Sequence, residues 1–291
     1  MTTTTTTTHP VPGLPGPTAR SRSPHAESPL PAVAAVPPRI PGERPTSAVP
    51  FARLVRVELR KMLDTRAGRW LVIGIGAAIA TALVILFFVG GGRHSLADYL
   101  QATIMPTAII LPVAGILAVT SEWSQRTGLV TFTMEPRRVR VGWAKLAASM
   151  LVGVAAFALA LGLAAVAHQG AVTLRGATPE WGIGWLMVSG AGLYVLLGLA
   201  QGVGFGMLFK NTPAAIVTYF ALPTVWGILT SLVSWVESAS RWLDLNRTME
   251  PLFMGAALTG QQWAQLGTAV GVWVLLPLVV GMWRLSRAEV K

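Results

Sequence analysis

Residues 181–209 read WGIGWLMVSGAGLYVLLGLAQGVGFGMLF, a stretch of 29 positions without a charged side chain. A helix that spans a bilayer needs about 20 mainly apolar residues. A charge at the centre of the membrane costs about 2.5–3.5 kcal/mol on insertion scales, so spanning helices avoid charged residues. This stretch therefore predicts a transmembrane helix over 182–208.

Five further windows also lack charge, and together with the first they set the number of predicted spans. These windows are 70–92, 99–121, 146–174, 211–236 and 251–283. Because lipid offers backbone groups no hydrogen bonds, we expect each window to be helical. The predicted spans are 70–90, 101–120, 146–167, 182–208, 213–233 and 262–283. The chain is thus predicted to be an all-α integral membrane protein with six transmembrane helices, the fifth kinked or split at Pro223.

The composition agrees with a membrane protein. Of the 291 residues, 53% are hydrophobic and only 12% are charged, whereas a soluble domain carries about 25% charged residues. These values disfavour a soluble enzyme, a disordered regulator and a fibrous protein. The absence of cysteine excludes disulfides and thiol catalysis. The net charge of +11 does not indicate a nucleic-acid partner, since no folded soluble basic domain is predicted.

The basic residues predict the orientation of the spans. If the amino terminus is inside, 15 of the Lys and Arg residues from position 51 onward fall on the inner side and four fall in outer loops. The positive-inside rule then places both termini in the cytoplasm, with the inner basic residues near anionic lipid headgroups. The high Ala, Arg, Gly and Pro content suggests a bacterial source, so we expect a multi-pass protein of the bacterial plasma membrane.

The chain before the first span divides into two parts. Residues 1–50 are rich in Pro and Thr and contain no aromatic residue, which predicts a disordered cytoplasmic tail. Residues 51–67 predict an interfacial amphipathic helix, because apolar and basic residues alternate at helical spacing. The apolar face would carry Phe51, Val55, Leu59 and Met62, and the opposite face would carry Arg53, Arg56, Arg60 and Asp64. This helix is expected either to anchor the chain or to act as a lever against a cytoplasmic partner.

Small residues and the outer segment give further structural predictions. Gly198, Gly202 and Gly206 recur every four residues, so one face of the fourth span permits close helix packing. The alternative is that this face lines a moving pathway.

The outer segment 234–261 is expected to form one or two short helices that end near Pro251. His168, at the outer end of span three, is predicted to be a solvated end residue; the alternative is a proton relay.

The loop 121–144 between spans two and three carries the most informative polar pattern. Glu122 and Arg126 are four residues apart, so they can pair on one helical face. Pro136 is expected to end that helix. This predicts a short cytoplasmic helix and turn at the membrane surface; the alternative is a solvated connector. The sequence contains no phosphate-binding loop, no pattern of metal-ligand spacing and no carboxylate within a span.

These features together resemble a type-2 ABC exporter permease, the membrane subunit of an ATP-driven export system. The resemblance covers residues 51–291. It rests on Glu58 and Lys61 in the amphipathic helix and on the extended outer segment before span six. In the loop it rests on E-x-x-x-R-T at Glu122, Arg126 and Thr127, and on Pro136 and Arg137 followed by Lys145.

The resemblance implies how such a protein works. In that family the loop after span two is a coupling helix, which docks with the amphipathic helix on a separate ATPase. Two ATPases serve two permeases, so the second subunit would be another copy of this chain or a paralogue. ATP and Mg²⁺ would bind in the ATPase, so this chain is expected to bind no cofactor and to have no enzymatic activity of its own. The family transports many classes of substrate, so the resemblance selects none.

Two other functions remain open from the residues alone. An ion-coupled secondary transporter would work without an ATPase, but the absence of an intramembrane carboxylate disfavours it. A non-transporting membrane anchor or assembly protein would recruit its partner through residues 1–50 or through the amphipathic helix.

Overall fold

A computed structural model describes residues 49–89, 94–124 and 137–287 of the chain. Within these ranges the protein consists of nine helices and has no strand. The helices are α1 Phe51–Asp64, α2 Arg66–Phe88, α3 Leu96–Ser124, α4 Arg138–Arg175, α5 Trp185–Phe209, α6 Thr212–Leu232, α7 Ser234–Leu243, α8 Leu245–Phe253 and α9 Gly260–Ser286.

Six of these described helices, α2 to α6 and α9, are long and apolar enough to cross a membrane. This confirms the prediction of a multi-pass, all-helical membrane protein. The central helices are α3 and α5, which pack on each other and on most of the remaining bundle. The outermost spans, α2 and α6, leave most of their apolar side chains exposed, as expected of helices that face lipid.

Local sequence explains where several helices begin and end. Thr65 is extended and separates α1 from α2, and its hydroxyl accepts a hydrogen bond from the Gly68 amide as an N-cap. Gly176 ends α4 with a φ of 65°, a left-handed conformation that favours glycine. A capping box between Thr259 and Gln262 starts α9.

Two helices differ in detail from the prediction. Helix α6 is continuous through Pro223, so the predicted split does not occur. Helix α4 has 38 residues and extends beyond both ends of the predicted span 146–167. Arg138 and Arg140, which were predicted to lie in the loop 121–144, are instead in the first turns of α4, as is Lys145, which was predicted to lie where that loop ends. Charged residues can occupy helix ends because their long side chains reach out of the apolar region, so charge-free windows underestimate helix length.

The segment 234–261, which was predicted to lie outside, forms short helices as expected. Helices α7 and α8 follow α6 directly and are separated by the N-cap residue Asp244. Pro251 lies within α8, which ends at Phe253, two residues beyond that proline. Helix α9 contains a π-helical turn over Gly271–Leu275. It precedes Pro277, whose missing N–H removes one bond of the regular helix.

Candidate functional site

A cluster of four charged side chains joins α1, α3 and α4. Lys61 donates hydrogen bonds to Glu58 Oε1 at 2.8 Å and to Glu122 Oε1 at 2.7 Å. Lys145 donates to Glu58 Oε2 at 2.7 Å, and its Nζ lies 3.1 Å from Glu122 Oε1. Each lysine therefore bridges the same two carboxylates. We call these four residues the ion cluster.

The ion cluster is largely buried. Lys145 is 3% exposed, Glu58 5% and Glu122 6%, whereas the Lys61 side chain retains 40% exposure. Lys145 also donates to the carbonyl oxygen of Ala118 at 3.0 Å. Buried charges are tolerated only where opposite charges and hydrogen bonds replace the water they lose. The three helices are therefore held together by groups that depend on one another.

The charge state of Lys61 follows from this environment. Partial burial alone would lower the pKa of the Lys61 ammonium. The charge of Glu58 and the hydrogen bonds to Glu122 and Glu58 outweigh burial, and the pKa lies above its ordinary value. Lys61 is thus a fixed positive charge at neutral pH. This favours a structural ion pair over a proton-transfer group.

Helix α1 lies along the first part of α4, with contacts at three levels. At its start, Arg140 donates to the carbonyl oxygen of Val49 at 2.6 Å. In the middle, Glu58 binds Lys145. Near its end, Ser149 Oγ lies 3.8 Å from the sulfur of Met62. The packed face of α1 therefore runs from its first turn to its last and is centred on Glu58.

The structure brings together some of the residues predicted from the sequence. Glu58, Lys61 and Glu122 meet in the ion cluster, and Arg137 is the N-cap residue of α4. Arg126, Thr127 and Pro136 lie outside the described residues, as do the predicted Glu122–Arg126 pair and the tail 1–48.

The partners of Glu58 and Lys145 were not predicted, although the sequence contains signals for both. Glu58 lies three residues after Val55 and four before Met62, which places it on the apolar face of α1. Lys145 is a single charge within an otherwise apolar helical stretch. A charge on an apolar face indicates a buried partner.

Two glycines of α5, Gly202 and Gly206, lie where it crosses α3. A Cβ on Gly202 would overlap the carbonyl oxygen of Pro112 in α3, and one on Gly206 would lie 3.0 Å from the Ile116 oxygen. In α3, a Cβ on Gly115 would lie 2.8 Å from the Leu199 oxygen. Gly198 is less constrained, with a Cβ 3.3 Å from the hydroxyl oxygen of Tyr219. Backbone therefore meets backbone along the centre of the bundle.

The prediction for His168 is wrong. Its side chain is fully buried, with ring centroids 5.7 Å from Tyr99 and 4.9 Å from Trp181. Neither ring nitrogen has a hydrogen-bond partner among the residues that the structure describes. The cause is the length of α4, which continues to Arg175 and keeps His168 inside the bundle.

Lys210 connects helix ends near the ion-cluster side of the bundle. It follows α5 with a φ of 53° and donates to the carbonyl oxygen of Arg284 at 3.0 Å. Its ammonium also lies 4.9 Å from the centroid of the Trp123 ring, a cation–π distance. Burial, with the nearby charges of Arg284 and Arg138, lowers the pKa of Lys210. The ends of α3, α5 and α9 are therefore linked.

Comparisons with known proteins give no assignment to a family. No model of a known protein family matches the chain, and a search of curated proteins finds no matching relative. In the described parts of the chain, no group of three or more His, Asp or Glu side chains is arranged to hold a metal ion. The fold and the ion cluster thus define a multi-pass helical membrane protein whose α1 is fixed to two spans.

Proposed function

We propose that this chain is the membrane-spanning permease subunit of an ATP-driven ABC exporter. It acts as a dimer in the bacterial plasma membrane, with both termini in the cytoplasm. A separate ATPase binds the amphipathic helix α1 and the segment between α3 and α4. Substrate crosses the membrane between the two permease subunits.

The ion cluster is the observation that supports this proposal. It ties α1 to the last turns of α3 and the first turns of α4, the two helices that flank the segment expected to contact the ATPase. Moving one of these helices away from the others would leave buried charges without their opposite charges, which costs free energy. A force applied to that segment or to α1 would therefore move all three helices together. Such a connection would allow a conformational change of the ATPase to move the membrane helices.

Co-purification from native membranes tests the proposal. The full-length tagged chain is extracted in mild detergent, and the complex is examined by native mass spectrometry and peptide sequencing. We expect two copies of this chain with two copies of a protein that carries a phosphate-binding loop, and vanadate-sensitive ATP hydrolysis by the complex. A chain that is recovered without an ATPase, from cells that express such proteins, would contradict the proposal.

A pair of charge reversals tests the predicted contact site. Arg126→Glu should reduce ATPase association and leave the membrane content of the chain unchanged, since it reverses one charge in the predicted coupling helix. Arg241→Glu is the matched control, because Arg241 is exposed on α7 in the outer segment. Equal association of wild type and both variants would count against the predicted docking site.

A further inference from the structure

A cavity of about 270 Å³ lies within a single copy of the chain, between α3, α5, α6 and the segment from α7 to α9. It combines aromatic rings with uncharged polar groups. Its main lining residues are Tyr194, Gln201, Tyr219, Thr224, Trp226 and Trp273. We call it the aromatic cavity.

One polar group at the aromatic cavity lacks a protein partner. The indole Nε1 of Trp226 is buried, and no described residue accepts its hydrogen. Gln201, which is 7% exposed, brings a side-chain amide to the same cavity. Buried donors are nearly always paired, so the unpaired indole at this cavity indicates a missing hydrogen-bonding partner.

Aromatic rings form one part of the cavity wall. The Trp226 and Trp273 rings are 6.4 Å apart at 67°, and Trp273 donates its own N–H to the Leu243 carbonyl. Tyr219 packs edge-on against Phe220 and Phe205, at centroid distances of 5.1 and 6.2 Å. This part of the wall suits an apolar ring, because ring faces offer a water molecule few of the polar partners that it needs.

The charges around the cavity favour an uncharged ligand. Among the described residues that line it there is no lysine or arginine, and one carboxylate, that of Asp244. Oδ1 of Asp244 accepts the backbone N–H groups of Asn246 and Arg247 at 2.9 and 3.1 Å. These bonds cap the N-terminus of α8, whose dipole stabilises the negative charge. The carboxylate therefore has a structural role, and the cavity offers an anion no countercharge.

We propose that the aromatic cavity binds a small, uncharged, mainly apolar molecule with an aromatic ring and a carbonyl oxygen. The ring lies against Trp226 and Trp273, and the carbonyl accepts hydrogen from Trp226 Nε1 or from the Gln201 amide. The volume is slightly below the usual range of about 300–1,000 Å³ for drug-sized pockets, so the ligand is small. Ile109 and Phe220, which also line the cavity, are exposed on the bundle surface, which permits entry from the lipid phase.

This inference concerns one copy of the chain and does not depend on the proposed ATPase. Benzophenone is a suitable probe, because it is an uncharged diaryl ketone that crosslinks to nearby C–H bonds on illumination. The purified full-length chain is titrated with benzophenone in detergent, illuminated and mapped by tandem mass spectrometry. We expect saturable labelling of peptides that line the cavity. Labelling that never saturates and spreads over lipid-facing peptides would show only non-specific partition of the probe into the detergent and would overturn the proposal.

Variants then test the hydrogen bonds. Trp226→Phe keeps a ring but removes the N–H, and Gln201→Leu removes the amide. Each should raise the half-saturating benzophenone concentration about three- to tenfold, the effect of one hydrogen bond. Trp235→Phe is the control, because Trp235 lies on α7 and is 73% exposed. Unchanged saturation in both cavity variants would overturn the assignment.

A charged analogue tests the preference for an uncharged ligand. The quaternary ammonium compound (4-benzoylbenzyl)trimethylammonium carries the same ketone together with a fixed positive charge. We expect it to label the cavity at higher concentrations than benzophenone. Tighter labelling by this cation, with a loss in Asp244→Asn, would instead assign the aromatic cavity to cations. The wild-type comparison of the two probes stays decisive even if a cavity variant fails to fold.

Discussion

Glu58, Glu122 and Lys145 are three buried charges that replace what could have been an apolar contact between helices. Such groups do not stabilise a protein more than well-packed apolar residues of the same size. Removing a single partner, however, leaves the others buried without compensation. The ion cluster therefore makes the junction of α1, α3 and α4 sensitive to any change in one of its members.

This sensitivity predicts a large effect of Lys145→Met. The substitution leaves Glu58 and Glu122 to share Lys61, and breaking a buried pair in this way costs about 3–5 kcal/mol. We expect a clear fall in the thermal unfolding midpoint of the detergent-solubilised protein, followed by tryptophan fluorescence. The double variant Glu58→Gln/Lys145→Met, which removes one charge of each sign, should recover much of the loss. A double variant no more stable than Lys145→Met would contradict mutual compensation.

The raised pKa of Lys61 predicts a loss of stability at alkaline pH. Because the pKa is higher in the folded than in the unfolded protein, the stabilisation is complete below the unfolded value of about 10.4. It is lost as the pH rises through the folded value. In Lys61→Arg the guanidinium stays charged, so the variant should lose less stability above a pH of about 10.4. Unfolding midpoints measured from pH about 9 to 12 would test this, and identical alkaline losses in both proteins would refute it.

At the scale of the helices, the crossing of α3 and α5 depends on the absence of side chains. Gly202 of α5 faces the backbone at Pro112, and Gly115 of α3 faces the backbone at Leu199. Backbone atoms cannot give way as a flexible side chain can. The two central helices must therefore separate if either glycine gains a Cβ.

We expect Gly202→Ala to destabilise the protein by about 1–3 kcal/mol, the usual cost of overpacking a core. Gly74→Ala is the matched control, since a Cβ on Gly74 of α2 would meet no atom within 4 Å. The control should be neutral or stabilising by about 0.5–1 kcal/mol, the usual gain from replacing glycine in a helix. Thermal unfolding of both variants measures the difference, and an equal effect would contradict the close α3–α5 contact.

The helices were largely predictable because charge-free windows of sufficient length have one stable solution in lipid. The ends of α4 were not predictable in this way, because the helix includes charged residues near both ends, Arg138, Arg140 and Arg175. The interaction partners in the ion cluster were also not predictable. Glu58 and Lys145 are 87 residues apart, and only the packing of α1 along α4 brings them together.

At the scale of the whole molecule, the length of α4 locates the ion cluster relative to the bilayer. A helix of 38 residues is about 57 Å long, whereas the hydrocarbon core of a bilayer is about 30 Å thick. Because α4 carries arginines at both ends, Arg138 and Arg140 at the first and Arg175 at the last, we expect both ends to extend beyond the core. Lys145, the eighth residue of α4, then lies near the membrane boundary, where charges cost less than at the centre.

The predicted orientation of the bundle can be tested with single cysteines, because the chain contains no cysteine of its own. Single cysteines are placed at Thr178, between α4 and α5, at Glu237 in α7 and at Arg287 after α9. With the termini in the cytoplasm, a membrane-impermeant maleimide should label Thr178→Cys and Glu237→Cys in intact cells, and Arg287→Cys only after permeabilisation. The excess of basic residues on the side of Arg287 is the physical reason. The reverse pattern would place α1 and the ion cluster outside the cell, beyond reach of any cytoplasmic ATPase, and would refute both the topology and the proposed coupling.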